Sequence, residues 1–527
     1  MVPGKKASQG LSKACVIVIV VASVERFAFK GVSSNLVTYL SGSHVKMGAA
    51  AAAKFVSSWN GVTSMLPLVT SVLVDSCWDR YSTITSSSLL YIVGLVLLTS
   101  WALLDAWMPI YTLFFPLCLI SIGLSGYNPS LQAFGADQLG LEEDLSCGKE
   151  EKNSKKSLFF QWWYFGICTG SFLGNSIMSY IQDNFGWVLG FSIPAAAMAA
   201  SVVCFSCGSV LYVKKEVRAT RWQIESITQS MKAYISKIFK KKISLPSSED
   251  DLIELELQEK SLCEDIDGKK EAEFSTSDMH NAESIARVTL KLMPIWLMLL
   301  MFAVIFQQPA TFFTNQGMVM NHCLGTRFLI PPAMLQSVIT ISIITLMPLY
   351  DKLMIPFFRF VLRDSKGITV LQRIGIGMLL SIAAMIIAAT VETKRIQATK
   401  RGDQLSIFWL LPQYILLGIS DIFTVVGMQE FFYSQVPKTM RTIGIGLYLS
   451  IFGVGSFISA LLISLVEMFT TTCERGCSWF SDDMREAKLY NYYWLLALLA
   501  SASFVIFSFI CKYYESEIPA SNNADQR

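Results

Sequence analysis

Charged residues and histidines are scarce in this chain of 527 residues. Only 16% of the residues are charged and only three are histidines, whereas 53% are hydrophobic. A soluble domain carries roughly 25% charged residues, so the composition argues against an ordinary soluble protein. The formal net charge of +3 gives no indication of a nucleic-acid partner, and we expect none.

The sequence patterns of metal and nucleotide sites are also missing. The twelve cysteines do not provide two C-x-x-C pairs at the spacing of a zinc site, and three histidines are too few for a catalytic zinc centre. No G-x-x-x-x-G-K-[ST] phosphate loop and no nucleophile–base pair occur. We therefore expect neither an enzyme nor ATP-driven transport, and no metal or cofactor. Cys473 and Cys477 lie close together in a polar loop and could pair if that loop faces an oxidising compartment.

Long apolar runs dominate the chain instead. Crossing about 30 Å of hydrocarbon takes about 20 apolar helical residues, and the sequence predicts six such spans before a polar stretch and six after it. They lie near residues 14–40, 50–74, 82–104, 109–134, 157–181, 187–212, 288–314, 332–350, 369–391, 405–432, 441–467 and 489–511. The expected fold is an all-α membrane protein of two six-helix bundles, the plan of major-facilitator transporters.

This pattern predicts four segments. Residues 1–213 form the N-terminal bundle, 285–514 form the C-terminal bundle, and 515–527 form a cytoplasmic tail. The linker between the bundles, residues 214–284, begins with a basic run that has the periodicity of an amphipathic helix and continues into an acidic part expected to be disordered. The basic helix either lies on anionic headgroups or is a solvated linker helix. Most of the 43 lysines and arginines fall on the side of the termini and the linker, which predicts cytoplasmic termini.

The first span carries Glu25, Arg26 and Lys30 near the middle of the bilayer, where a charge costs about 2.5–3.5 kcal/mol on insertion scales. Ala22, Arg26 and Lys30 follow one another at intervals of four residues and share one face of the helix. The two cations repel each other, and no acid of this span lies on that face. Either an acid from another span or an anionic solute compensates them, unless the charges form a structural pair inside the bundle.

Other charges inside spans are few. The acids are Asp421 and Glu430 in span 10 and Glu467 near the outer end of span 11, while Lys54 near the outer start of span 2 is expected to be structural.

Charged residues also follow spans 2 and 8 at the cytoplasmic turns. We expect Asp75, Arg80 and Asp351 to form a cytoplasmic gate, although ordinary interfacial charge gives the same pattern.

Several sequence blocks resemble one transporter family. Glu25-Arg26-Phe27 opens the first block, F-G-A-D-Q closes span 4 and F-Q-W-W-Y-F opens span 5; the blocks lie at residues 25–40, 134–138, 160–165, 180–183, 367–377 and 429–433. Over nearly its whole length the chain resembles the plant nitrate/peptide transporter family, relatives of the proton-coupled oligopeptide transporters. The resemblance implies a major-facilitator fold with a central cavity. It also implies proton-driven uptake of nitrate, short peptides, plant hormones or related metabolites.

The chain departs from the family pattern at several positions. Ala22 stands in place of the first glutamate of E-x-x-E-R, Asn128 in place of a span-4 lysine, and Lys30 in place of a tyrosine. Gln435 replaces an acid that some members carry, and Phe306, two residues before Gln308, replaces a histidine. We expect the substrate and proton cavity to be lined by Glu25, Arg26, Lys30, Asn128, Gln308 and Gln435.

The predicted function is secondary active transport of a small anionic solute by alternating access, with proton coupling weakened or rerouted through Glu25. The alternative is a non-transporting sensor or interaction protein of the same fold. The expected partners are the solute, protons and membrane lipids, and the expected location is the plasma or vacuolar membrane, crossed many times.

Overall fold

The computed structural model is almost entirely helical. It describes residues 12–42, 45–77, 80–104, 107–141, 149–212, 292–324, 328–349, 369–435, 441–471, 479–480 and 487–524. The predicted linker, the Cys473–Cys477 loop and Asp351 lie outside the described residues. Below, the inner end of a span is the end on the side of the chain termini, and the outer end is the opposite one.

The first half contains six spans. They are span 1 (Lys13–Ser33), span 2 (Ala49–Cys77), span 3 (Arg80–Leu103), span 4 (Phe114–Leu141), span 5 (Lys149–Leu173, continued by Gly174–Met178 and Ser179–Phe185) and span 6 (Trp187–Cys207). Span 1 begins where the Ser12 side chain accepts a hydrogen bond from the Cys15 backbone at 3.3 Å. A short helix, Leu36–Ser41, extends span 1 at its outer end. Gly186, with φ of +101°, makes the turn between spans 5 and 6, a backbone conformation that glycine adopts without strain.

The second half also contains six spans. They are span 7 (Leu292–Met318), span 8 (Gln336–Leu349), span 9 (Val370–Lys400), span 10 (Leu411–Ser434), span 11 (Arg441–Thr471) and span 12 (Leu489–Ala524). Two short antiparallel strands, β1 (Cys323–Leu324) and β2 (Phe328–Leu329), connect spans 7 and 8, with Cys323 opposite Leu329. Span 9 starts with a capping box in which Thr369 and Gln372 bond each other's backbone.

Eight of the described helices are long and apolar enough to cross a membrane by length and composition alone. The other four are spans 1, 2, 5 and 8. Span 1 carries Lys13, Glu25, Arg26 and Lys30 within 21 residues, and span 8 is a short apolar helix. The predicted all-α membrane architecture is therefore confirmed. The charges of span 1 explain why it is not among the eight, and the short length of span 8 explains why that helix is not.

Span 9 is longer than the sequence predicts. Its helix continues beyond residue 391 to Lys400 because Glu392 and Arg395 are fully buried and pair with each other. Arg395 donates to the two carboxylate oxygens of Glu392 at 2.8 and 2.6 Å. Charges that marked the end of a span in the sequence are thus part of the helix packing.

Each half of the protein is built around a hydrophobic core. One is built from spans 1–6 and contains Trp59, Tyr91 and Phe191. The other is built mainly from the second half and includes Ala50, Ala53 and Cys168 of the first. Two cores joined by small residues of the first half fit the predicted plan of two six-helix bundles.

Candidate functional site

Span 1 lies against span 5 along a row of glycines. A Cβ added to Gly174 would lie 2.7 Å from the Phe27 carbonyl oxygen and 2.9 Å from the Lys30 Cβ. A Cβ added to Gly170 would overlap the Ser23 carbonyl and lie 3.2 Å from the Arg26 Cβ. Small residues permit such backbone contact between membrane helices. This packing fixes the position from which Arg26 and Lys30 extend.

Glu25 and Arg26 share an amide partner in span 4. Glu25 is fully buried, and its Oε2 lies 3.6 Å from Arg26 Nε. With its amide oriented to satisfy both neighbours, Asn128 donates to Glu25 Oε2 at 3.1 Å and accepts from Arg26 at 3.1 Å. Asn128 therefore bridges a carboxylate and a guanidinium without adding a charge of its own.

Lys30 faces an acid of the other half. Asp421 in span 10 and Lys30 in span 1 interact electrostatically, and Arg26 also acts on Lys30. In the described part of the chain, no ion pair within 4.0 Å joins Lys30 to Asp421. Asp421 Oδ1 is buried and has no hydrogen-bond partner among the described residues. Lys30 therefore has charged neighbours in both halves.

Three further side chains lie around Asp421. Tyr164 and Cys168, one turn apart in span 5, and Tyr448 in span 11 are all within electrostatic range of its carboxylate. These groups come from both halves, like Lys30 and Asp421. Lys30 and Asp421 thus interact across the two halves, and two phenols and a thiol lie within electrostatic range of Asp421.

An aromatic cluster adjoins Tyr448. The Tyr448 and Phe452 rings are 5.8 Å apart, and Phe452 contacts Phe306 of span 7 at 5.6 Å between ring centroids. Phe306 occupies the position where the family resemblance has a histidine. At this position the chain therefore has an apolar aromatic side chain in place of the family's titratable one.

The two predicted glutamines lie in span 7 and at the end of span 10, both in the second half. Gln308 is fully buried in the second half, where its Nε2 donates to the Val304 carbonyl at 3.0 Å. Gln435 follows the last residue of span 10 at the inner end, about 20 Å along the helix from Asp421 at 1.5 Å per residue. Asp421, not Gln435, is thus the span-10 residue that interacts electrostatically with Lys30.

Asp421 was visible in the sequence as an intramembrane acid but was not assigned to the site. The available signal was its position near the middle of an apolar span, where charge is costly. Its partner could not be identified because Lys30 is distant in the chain.

The predicted cytoplasmic gate stays a prediction. Arg80 is partly buried at the start of span 3, while the side chain of Asp75 and all of Asp351 lie outside the described residues. Within the described ranges, no group of three or more histidine, cysteine, aspartate or glutamate side chains could hold a metal ion.

Comparison with known proteins places this architecture in a family. The model for PTR2, the POT family, matches residues 81–480. Protein NRT1/ PTR FAMILY 5.9 of Arabidopsis thaliana is 49% identical over 99% of this chain and 99% of its own length. Protein NRT1/ PTR FAMILY 5.10 of the same organism is 38% identical over 98% of this chain and 95% of its own.

Solved structures show the same fold. The POT family transporter PepTSo superposes with a TM-score of 0.71 at 19% identity, covering 96% of this chain and 99% of that one. A POT family transporter in complex with 5-aminolevulinic acid has a TM-score of 0.65 at 15% identity, covering 96% and 97%. The match over most of the chain and the identity to the Arabidopsis relatives show that this multi-pass membrane protein belongs to the POT family of transporters.

Proposed function

We propose that this transporter carries a small solute by alternating access and holds it between Lys30 and Asp421. The observation that supports this most directly is that a lysine of the first half and an aspartate of the second interact without forming an ion pair within 4.0 Å. A solute bound there contacts both halves at once. Contact with both halves is what couples binding to the movement of one bundle against the other.

The charges favour a solute with two opposite groups. Arg26 and Lys30 attract a carboxylate, as the sequence suggested. Asp421 adds an opposing anion that repels a simple anion and attracts an ammonium group. A buried charge is costly unless it is paired, so a zwitterion satisfies this site better than nitrate does. The anionic group expected from the sequence is thus one end of the proposed solute.

Such a solute also fits what related proteins bind. One structural neighbour is a POT family transporter in complex with 5-aminolevulinic acid, a molecule with a carboxylate and an amine. We propose solutes of this chemical class, amino-acid-like or peptide-like, for this chain.

We further propose that proton coupling is weakened or rerouted. Ala22 and Asn128 carry no titratable group, and Glu25 is already engaged by Arg26 and Asn128. Asp421 has an oxygen without a hydrogen-bond partner within the described ranges. Glu25 Oε1 lacks a partner as well, but Asp421, unlike Glu25, forms no ion pair within 4.0 Å in the described part of the chain. We therefore propose Asp421 as the group that takes up a proton during transport.

We also propose an orientation and a membrane for the protein. Both termini and the 214–284 linker face the cytoplasm, as the distribution of lysine and arginine predicts. The protein then imports solute across the plasma membrane or moves it across the vacuolar membrane. Protease accessibility of terminal tags in sealed vesicles tests the orientation.

Competition for uptake in liposomes tests the solute class. The panel is one zwitterionic dipeptide, its N-acetylated form, its C-terminal amide and nitrate, at two external pH values. The zwitterion should compete best. Lys30→Gln should stop the site from preferring the zwitterion over the amide, and Asp421→Asn should stop it from preferring the zwitterion over the N-acetylated form. Lys394→Gln is the matched lysine control, since Lys394 lies over the Trp409 ring at 4.5 Å, away from the site.

The possible results separate the proposals. The proposal of a zwitterionic solute would be contradicted if nitrate and the N-acetylated peptide competed as well as the zwitterionic dipeptide and Asp421→Asn had no effect. An uptake rate that rises steeply as external pH falls, with one proton taken up per solute, would contradict weakened coupling. Saturable binding without flux would support the sensor alternative instead.

A further inference from the structure

An ion pair joins the two halves at their outer ends. Lys54 Nζ in span 2 lies 2.5 Å from Glu467 Oε2 in span 11. The two side chains are 28% and 39% exposed, respectively. The sequence suggested only that Lys54 is structural. Its partner belongs to the opposite half, so the pair can exist only while the outer ends of spans 2 and 11 lie together.

The two spans pack closely below this pair. A Cβ added to Gly61 would lie 3.0 Å from the Phe457 ring, and one added to Gly453 would lie 2.5 Å from Met65. Residue numbers rise along span 2 as they fall along span 11, so the helices run antiparallel. From Lys54 to Met65 this seam extends about 17 Å at 1.5 Å per residue.

Two hydrogen bonds also join the two halves on the outer side. Asn60 in span 2 donates to Gln307 in span 7 at 3.1 Å. Gln336 at the outer end of span 8 donates to the carbonyl oxygen of Ser34, which follows span 1, at 2.7 Å. Both bonds link one half to the other.

The ion pair at the inner ends has a different character. Arg373 and Glu430 approach to 2.5 Å, but they belong to spans 9 and 10 of the same half. This pair can persist whichever way the halves tilt. The Lys54–Glu467 pair cannot, because outward opening separates its partners.

We propose that Lys54 and Glu467 form an outer latch that stabilises the outward-closed state and opens in each transport cycle. The inference rests on the proposed alternating access. A latch must break without a large cost, and a partly exposed pair can exchange its partner for water. The fully buried Glu392–Arg395 pair lacks this property.

Distance measurements on the full chain test the latch. Nitroxide labels on unnatural amino acids at Lys46 and Phe469, both exposed beyond the pair, report the separation of the outer ends by double electron–electron resonance. Lys54→Gln and Glu467→Gln should each raise the outward-open to outward-closed ratio about two- to fivefold, the upper part of the range for one exposed ion pair. The charge-swapped variant with Lys54→Glu and Glu467→Lys should return the ratio toward the original value.

The controls keep the test decisive. Lys394→Gln removes an outer lysine whose partner, Trp409, is in its own half, and it should leave the distances unchanged. Unchanged distances in both single variants, or a swap that opens the protein as much as they do, would overturn the latch. The measurement needs no solute, so it remains informative even if the zwitterion proposal fails.

Discussion

Asn128 donates a hydrogen bond to the buried carboxylate of Glu25 at 3.1 Å, from span 4 to span 1. The same amide accepts from Arg26, so a neutral side chain holds two opposite charges in place. This bridge is a structural consequence of having asparagine where the resemblance has lysine.

The first prediction concerns this bridge. Asn128→Leu removes the donor to Glu25 and leaves a buried carboxylate oxygen unsatisfied, at a cost of about 1–3 kcal/mol. The free energy of unfolding in detergent, measured by heating or by denaturant titration, should fall by this amount. Asn184→Leu is the control, because exposed Asn184 donates to the Tyr180 carbonyl at 3.0 Å and to no other group among the described residues. Equal stability of the two variants would contradict the bridge.

The second prediction concerns the contact between spans 1 and 5. Gly170→Ala places a methyl group against the Ser23 carbonyl, and overpacking of this kind typically costs about 1–3 kcal/mol. Solute affinity should fall as well, since the shift displaces Arg26. Gly375→Ala is the matched control, because its nearest neighbour is the Phe504 ring at 3.6 Å, and it should stabilise the helix by up to about 1 kcal/mol rather than destabilise it. Indistinguishable variants would show that the two helices separate easily.

The third prediction concerns the buried pair of span 9. Arg395→Met leaves Glu392 as an uncompensated buried charge and should destabilise the protein by about 3–5 kcal/mol. Replacing both residues, with Glu392→Leu added, should recover part of this loss because no charge is then left alone. Denaturation of the single and double variants measures the difference. A double variant no more stable than the single one would contradict this explanation.

The fourth prediction concerns pH and His322, which lies in the outer connection between span 7 and β1. Burial lowers the pKa of His322, while a hydrogen bond with the Gly317 backbone opposes the shift. The folded state thus favours the neutral ring, and the unfolded state binds more protons. The stability from His322 is therefore present above the unfolded pKa of about 6.5 and is lost as pH falls below it.

His322→Gln tests this sign. The melting temperature of the original protein should fall more than that of the variant between about pH 7.5 and about pH 5.5, a range that brackets an ordinary histidine pKa. Parallel pH profiles would show that His322 does not contribute.

Much of the fold could be predicted because lipid imposes simple rules. Hydropathy located the spans because each must present about 20 apolar residues to hydrocarbon. Span 9 ended later than predicted because Glu392 and Arg395 neutralise each other inside the helix packing. Local periodicity also placed Arg26 and Lys30 on one helix face, since i,i+4 spacing is a property of any α-helix.

The site was predicted less completely. Glu25, Arg26 and Asn128 contact one another, while Gln308 and Gln435 belong to the second half, and their role in a cavity stays a prediction. Asp421 was recognised only as an acid inside a span. Which cation faces it depends on how span 10 is rotated and on how the halves meet, and neither is encoded in local spacing.

The sequence alone determined that this chain crosses the membrane repeatedly, that its first span carries unusual charges, and which family it resembles. The first two conclusions depend on composition and short-range periodicity, and the third depends on the sequence blocks that resemble the family. Only the tertiary structure decided that Lys30 faces Asp421, that Asn128 bridges Glu25 and Arg26, and that Lys54 meets Glu467. Such pairings join residues far apart in the chain, and packing between helices selects them.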